Sequence, residues 1–141
     1  MYSSDIYDYG YVNGKGFSTE VVDFFKTEKL PFLYYGEPVT TIITNPPYKQ
    51  AQKYVEHALH LLRGTKGGKV IMLLRLDFLT SQARGKFFST VGQLKHVDIF
   101  SYRIKCLKDD IDDGASSAVN YAIFVWEVGY LYQPQISWIL K

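Results

Sequence analysis

The sequence has only one cysteine, Cys106, and this scarcity limits both the fold and the compartment. A single thiol cannot form an internal disulfide, so a packed core must hold the domain together. Chains without disulfides suit a reducing environment, and we therefore expect a cytoplasmic protein. Cys106 also has no adjacent histidine that would activate it, so we expect an inert thiol.

Long apolar runs and a strong charge of one sign are also missing. No run reaches the roughly 18 apolar residues of a membrane helix, and residues 1–10 are too polar and acidic for a cleavable signal. We therefore expect no membrane partner. The net charge of +2 gives no strong electrostatic argument for nucleic acid, but it leaves room for a small basic patch. Candidates for that patch, or simply for a solvated face, are Lys95, Arg103, Lys105 and Lys108.

Aromatic residues, by contrast, are abundant. They make up 16% of the 141 residues and include twelve tyrosines. A tyrosine can pack in a core or an interface, or it can stack on a nucleic-acid base. The length and the 47% hydrophobic content suit a single globular domain over residues 1–141.

The order of apolar runs and turn residues predicts an α/β domain. The β-branched run 39–44 predicts a strand, and an apolar stripe at helical spacing predicts a helix over residues 49–63. The continuous apolar run 69–76 is typical of a parallel strand covered on both faces. These three elements predict a right-handed βαβ unit. The further predicted elements are the end of a strand over 1–4, a helix over 81–88, a strand over 97–100 and a final strand over 120–126.

This pattern predicts a mostly parallel sheet with an antiparallel final pair, and a tail over residues 130–141 that packs back on the body. Residues 18–25 fit either a short helix or a short strand. His57 and His60 could share a metal on the predicted helix, although two surface histidines are the simpler interpretation. The acidic segment 109–114 lacks the ligand spacing of a calcium-binding loop.

The tetrapeptide Asn45-Pro46-Pro47-Tyr48 directly follows the strand predicted for residues 39–44. Open α/β sheets place their chemistry at the carboxyl ends of strands. Proline fixes its own φ and restricts the residue before it, so the two prolines make this segment a rigid elbow. The alternative is that the tetrapeptide is only a turn.

This elbow resembles the amine-methylation motif of the S-adenosylmethionine (SAM)-dependent DNA adenine-N6 methyltransferases of phage and bacterial type. The resemblance implies that the Asn45 side-chain carbonyl and the Pro46 main-chain carbonyl accept hydrogen bonds from the amine of a flipped adenine. Pro47 would hold these acceptors in place, and Tyr48 would stack on the base. The two acceptors would free the lone pair of the amine for attack on a methylsulfonium.

Other segments resemble the same family in the same order. Asp5 resembles the acidic residue that binds the ribose hydroxyls of SAM, and Asp23 and Phe24 resemble residues that contact the cofactor adenine. The later blocks with such a likeness are 74–79 with Arg84, 97–103, 121–126 and 129–138. The resemblance implies an incomplete class I (Rossmann-like) methyltransferase sheet with flanking helices, with SAM as cofactor and DNA as partner.

The sequence departs from that family in two places. The family has a strand, a Gly-rich loop and a helix before the segment of Asp5, whereas Met1 here falls almost at Asp5. Residues 14–16 are a Gly-x-Gly, but without a preceding buried strand they are interpreted as an ordinary loop. The second departure is the segment 104–107, which lacks the aromatic or proline residue that the family tends to present to the base.

A missing central strand would leave its two neighbours with unpaired edges. The neighbours could pair directly, a second copy could fill the gap, or another polypeptide could supply the strand. We therefore expect a homo-oligomer or a complementing chain. Three functions stay open: an adenine-N6 methyltransferase-like domain that need not be active alone, a non-catalytic relic that binds a protein or nucleic acid, and another SAM-using activity such as SAM degradation.

Overall fold

The computed structural model describes residues 3–5, 19–30, 33–34, 37–104 and 119–141, with side chains described in 21–30, 38–104 and 119–141. The strands and α-helices in these ranges are, in chain order, β1 (Ser3–Asp5), β2 (Thr19–Val21), β3 (Leu33–Tyr34), β4 (Glu37–Pro38), β5 (Thr41–Thr44), α1 (Ala51–Leu61), β6 (Lys69–Arg75), α2 (Gln82–Val91), β7 (Leu94–Phe100), β8 (Tyr121–Glu127) and β9 (Gln135–Ile139).

Five strands form one open mixed sheet in the order β5-β6-β8-β7-β9. The pairs β5–β6 and β7–β9 are parallel, whereas β8 is antiparallel to both of its neighbours. β8 therefore runs against the other four strands. The predicted strand–helix–strand unit with parallel strands is confirmed in β5, α1 and β6, and so is the antiparallel pairing of the strands predicted over 97–100 and 120–126.

The prediction that the chain's last strand lies over residues 120–126 is wrong, because β9 follows it. The tail does pack back on the body, but as an edge strand beside β7, with Ile136 opposite Val97 and Trp138 opposite Ile99. Polar Gln135 and Ser137 alternate with apolar residues in β9, and this period of two is the signal of a half-exposed strand.

The helices begin and end close to the predicted residues. A 3-10 turn over Tyr48–Gln50 leads into α1. Ser81 caps α2, its hydroxyl accepting a hydrogen bond from the amide of Arg84 at 3.4 Å. The helix ends at Gly92, whose φ of 58° lies in the left-handed region that glycine tolerates. No helix in the described ranges is long and apolar enough to cross a bilayer.

The core lies between one face of the sheet and both α-helices. Alternate residues of β6 and β8 point into it, and both helices contribute to the same buried cluster. Trp126 and Phe124 are its largest fully buried side chains. The other members of the cluster are Ala51, Val55, Ala58, Leu59, Leu62, Val70, Met72, Leu74, Phe78, Phe87, Leu94, Val97 and Ala122.

The N-terminal segments form two further small sheets. β1 and β2 are a parallel pair and β3 and β4 an antiparallel pair. Of the two interpretations of residues 18–25, the strand holds for β2, and one 3-10 turn over Phe24–Lys26 follows it. In the described part of the chain β1 does not join β5, so the direct pairing that was one of the three expectations is not observed there.

Candidate functional site

The Asn45–Tyr48 elbow leaves the sheet at the carboxyl end of β5. Because β5 and β6 are parallel, the residues that follow β6 leave the sheet at the same edge. The Asn45 and Pro47 side chains are exposed, Pro46 is buried and Tyr48 is half-buried. The elbow is therefore anchored at Pro46, while the amide group of Asn45 faces solvent.

The backbone after the elbow is held by a short hydrogen bond. The amide of Gln50 donates to the carbonyl of Pro47 at 2.8 Å and closes the 3-10 turn. Pro47 has a φ of −54°, close to the value that its ring imposes. The Tyr48 side chain consequently projects from a turn with little backbone freedom, and its ring centre lies 5.7 Å from that of Tyr121 on β8.

Tyr48 forms one wall of a cavity of about 270 Å³ at this edge of the sheet. The other walls come from the start of α1, the end of β6, the turn after β6 and the start of α2. The residues that line these walls are Ala51, Leu74, Arg75, Asp77, Phe78, Thr80, Ser81 and Arg84. The residues that line the cavity therefore carry two aromatic rings, two guanidinium groups, one carboxylate and three hydroxyls, one of them the phenol of Tyr48.

The position of Arg84 depends on contacts with two other elements. Its Nη1 donates a hydrogen bond to Oε1 of Gln52 on α1 at 2.7 Å, and its guanidinium carbon lies 4.2 Å from the centre of the Phe78 ring. Burial lowers the pKa of Arg84, and the negative charges of Glu56 and Asp77 partly oppose that shift. The guanidinium stays charged at neutral pH, so a fixed cation lines the cavity.

Arg75 is held less firmly than Arg84. Its Nη2 lies 2.6 Å from Oδ2 of Asp77, but both side chains are about half-exposed, at 43% and 58%. An exposed ion pair of this kind contributes roughly 0–1 kcal/mol. An incoming anion can therefore displace Asp77 from Arg75 at little cost.

Sequence reasoning named the segment of Arg75 and Arg84 only through the family resemblance and assigned it no role. A usable signal was nevertheless present, because Arg75 and Asp77 flank the carboxyl end of a strand predicted to be parallel to β5. The contact of Arg84 with Gln52 had no such signal, since it joins residues 32 positions apart in different helices.

Of the residues expected to bind SAM, Asp23 and Phe24 have described side chains, and neither lines this cavity. Oδ1 of Asp23 accepts a hydrogen bond from the amide of Phe25 at 3.0 Å and caps the 3-10 turn. Phe24 stacks on Tyr54 of α1 with ring centres 5.1 Å apart. Asp5 ends β1, opposite Val21 of β2, and its side chain lies outside the described ones.

The two histidines of α1 differ in their surroundings. His60 is exposed, and its Nε2 lies 2.7 Å from Nη1 of Arg63. The interpretation of His57 as a surface residue is wrong, because its half-buried ring packs against Phe24 and Phe25 and its Nε2 is enclosed without a hydrogen-bond partner. Within the described ranges no three His, Cys, Asp or Glu side chains form a group that could hold a metal ion.

The proposed basic patch is only partly within the described residues. Nζ of Lys95 is paired with Oε2 of Glu127 at 2.6 Å, so its charge is largely compensated. Arg103 is exposed near the end of β7. Cys106 and the segments 14–16, 105–108 and 109–114, for which an inert thiol, a loop, basic residues and an acidic loop were expected, lie outside the described residues.

A scan of the chain against protein-family models gave no match, and a search of curated proteins gave none either. The class that the fold and the site define is an α/β protein with an open, mixed five-stranded sheet and two helices. Its candidate site is a polar, partly aromatic cavity at the carboxyl ends of two parallel strands.

Proposed function

We propose that the protein is a DNA adenine-N6 methyltransferase-like domain whose cavity beside Tyr48 receives a flipped adenine. The supporting observation is the placement of the Asn45–Tyr48 elbow at the carboxyl end of β5, with an exposed amide at Asn45 and with Tyr48 in the cavity wall. Asn45 itself does not line the cavity, but it is three residues from Tyr48 in the same elbow, at the edge of the sheet where the cavity lies.

The elbow supplies the acceptors that an exocyclic amine requires. The Asn45 side-chain carbonyl and the Pro46 main-chain carbonyl accept the two amine hydrogens, while the ring of Tyr48 stacks on the base. Base–aromatic stacking contributes about 1–3 kcal/mol per base. A cavity of about 270 Å³ is smaller than a typical drug-sized site of roughly 300–1,000 Å³ and suits a single heterocycle.

Two cations support nucleic acid as the ligand. Arg84 is held in place by Gln52 and Phe78, and Arg75 is only loosely paired with Asp77. Arginine donates hydrogen bonds to phosphate in a geometry that matches its planar group, and phosphate contacts position a nucleic acid without reading its sequence. The cations would thus hold the backbone on either side of the base that Tyr48 stacks on.

Two of the residues expected to hold SAM make other contacts in the described part of the chain. Asp23 is used as a turn cap, Phe24 is stacked in an aromatic cluster, and β1 belongs to a sheet separate from β5. No methyl-transfer step is therefore derived from them. Methylation by this domain would need a cofactor site that is completed by a complementing chain or by a second copy.

The same observation favours a second candidate, a non-catalytic relic that binds nucleic acid or protein. Such a protein would keep the base-binding half of the site without the cofactor half. SAM degradation, the third possibility, would need SAM binding without transfer to DNA. Titration of the protein with SAM in a calorimeter separates these candidates: absence of binding by the folded protein excludes a stand-alone enzyme, and binding followed by methylation of DNA excludes the relic.

The adenine site itself is tested with a single-stranded oligonucleotide that carries the fluorescent adenine analogue 2-aminopurine. We expect stacking on Tyr48 to quench its fluorescence, and Tyr48→Ala to weaken binding about 5- to 150-fold, the equivalent of about 1–3 kcal/mol. Tyr132→Ala is the matched control, because that tyrosine is 82% exposed and does not line the cavity. An equal loss of oligonucleotide binding in the two variants would refute an adenine site at Tyr48. No loss of binding in either variant would refute it as well.

A further inference from the structure

β9 forms one edge of the five-stranded sheet and exposes a row of large apolar side chains. Its inner side pairs with β7, and no described strand pairs with its outer side. Ile136, Trp138 and Leu140 are spaced two apart and are 53%, 62% and 77% exposed. Side chains at this spacing lie on one face of an extended chain.

These residues continue the core-facing side of the sheet. Ile136 lies opposite Val97, which is 1% exposed, and Trp138 lies opposite Ile99, which packs against the core. Of the described helices, neither covers β9 as it covers β7, so the apolar surface extends past the helical layer. An apolar surface that continues beyond its cover is a candidate contact site for another chain.

The turn before β9 carries two more exposed side chains. Leu131 is 89% exposed and Tyr132 is 82% exposed. The Tyr132 ring lies 5.6 Å from that of Tyr130, which in turn lies 5.6 Å from Nζ of Lys95. Tyr132 therefore lies on the side of the Lys95–Glu127 pair and does not extend the row of Ile136 and Trp138.

The outer edge of β9 lacks the features that keep edge strands apart. Natural edge strands carry charges, prolines or bulges that prevent pairing with another strand. The segment 129–140 contains no charged residue, and its one proline, Pro134, precedes the strand. Open backbone N–H and C=O groups on such an edge are best satisfied by another strand.

We propose that β9 pairs antiparallel with β9 of a second copy, so that one sheet continues across a two-fold dimer. A two-fold axis makes the same residues meet their own copies, and an uncharged strand brings no like charges together. With the axis beside Trp138, Ile136 lies opposite the partner subunit's Leu140. From each copy, the strand edge and the exposed side chains of Ile136, Trp138 and Leu140 form the interface, so backbone pairing and apolar burial both stabilise it.

The β9 edge suits pairing with a second copy better than the β5 edge at the other side of the sheet. β5 is only four residues long, and Ile43, at 70%, is its only large apolar residue that is strongly exposed. Ile43→Lys is therefore the matched control for Ile136→Lys, since each places a charge on an exposed isoleucine of an edge strand. The proposed dimer does not depend on methyl transfer or on adenine binding.

The test is the mass of the full chain by light scattering after size exclusion. We expect a dimer for the wild type and for Ile43→Lys, and a monomer with an unchanged circular dichroism spectrum for Ile136→Lys. A wild type that is monomeric up to its solubility limit overturns the proposal. A dimer that survives Ile136→Lys, or that Ile43→Lys dissociates, overturns it as well.

A second measurement needs no substitution. The chain has two tryptophans, and Trp126 is fully buried while Trp138 is 62% exposed. Only Trp138 changes its surroundings when the proposed dimer dissociates, so we expect the emission of the wild type to shift to the red on dilution. Emission that does not change over the range in which the mass falls from dimer to monomer places the interface elsewhere and overturns the proposal.

Discussion

The two edges of the five-stranded sheet differ in what their side chains can bind. The β5 edge is short and ends in the Asn45–Tyr48 elbow, of which Tyr48 lines a cavity that also contains two arginines. The β9 edge is uncharged and presents Ile136 and Trp138 to solvent. Polar groups around a concave opening suit a small ligand, whereas an apolar strand edge suits another strand. One sheet can thus keep ligand binding and self-association apart.

β8 is the central strand of the sheet. A substitution that unfolds it should therefore abolish both edges, and with them the difference between them. Phe124 on this strand is fully buried, stacks on Trp126 at 5.7 Å and meets Phe78 edge-on. We expect Phe124→Ala to lower the free energy of unfolding by about 3–5 kcal/mol, because it removes contacts and leaves a cavity. Urea unfolding followed by circular dichroism measures the change.

Trp138→Ala is the control for that prediction, since it removes an aromatic side chain that is 62% exposed in the single chain. At concentrations where the protein is monomeric, we expect it to cost far less than Phe124→Ala. Similar losses in the two variants would mean that Trp138 belongs to the core of the single chain, and the contrast between the edges would then be wrong.

The β5 side of the molecule was the more predictable from sequence. A β-branched run, two prolines, an apolar stripe and a stopping glycine all act locally, so β5, the elbow, α1 and β6 lie within two residues of their predicted bounds. β9 was missed because its alternation covers only Gln135 to Trp138, and because its pairing with β7 is decided by tertiary packing.

The candidate site was likewise predictable only where its residues are positioned by local sequence. The positions of Asn45 and Tyr48 at the end of β5 follow from local sequence, whereas the cavity needs Arg84 to meet Gln52 and Phe78, which belong to other elements. Asp23, which is expected at a cofactor, caps its own turn in the structure. A short acidic side chain beside a turn has this local alternative available, and the sequence alone does not separate the two roles.

An intermediate effect is expected at Arg84, which ties α1 to α2 at the cavity. Arg84→Met removes the hydrogen bond to Gln52 and the contact of a cation with the Phe78 ring. We expect a loss of about 1–2 kcal/mol in the free energy of unfolding, reduced by the relief of burying a charge. The midpoint of urea unfolding reports the loss.

Arg84→Lys sharpens that result, because lysine keeps the charge but lacks the planar group that stacks and donates in a fork. We expect Arg84→Lys to recover only part of the free energy of unfolding that Arg84→Met loses. We expect it to retain most of the oligonucleotide binding of the wild type. Full restoration of stability by lysine would show that charge alone matters at this position, and the described geometry of Arg84 would then have no role.

The smallest expected effects come from two ion pairs near the two edges. Lys95–Glu127 and Arg75–Asp77 have the same separation of 2.6 Å, but the Lys95–Glu127 side chains are the less exposed, at 37% and 20%. Double-mutant cycles with Lys95→Met and Glu127→Gln, and with Arg75→Met and Asp77→Asn, should give a larger coupling energy for Lys95–Glu127. Both values should lie within about 0–1 kcal/mol and fall with added salt. A larger coupling for Arg75–Asp77 would mean that Arg75 is firmly held, and it would then be a poor candidate for exchanging its carboxylate for a phosphate at the cavity.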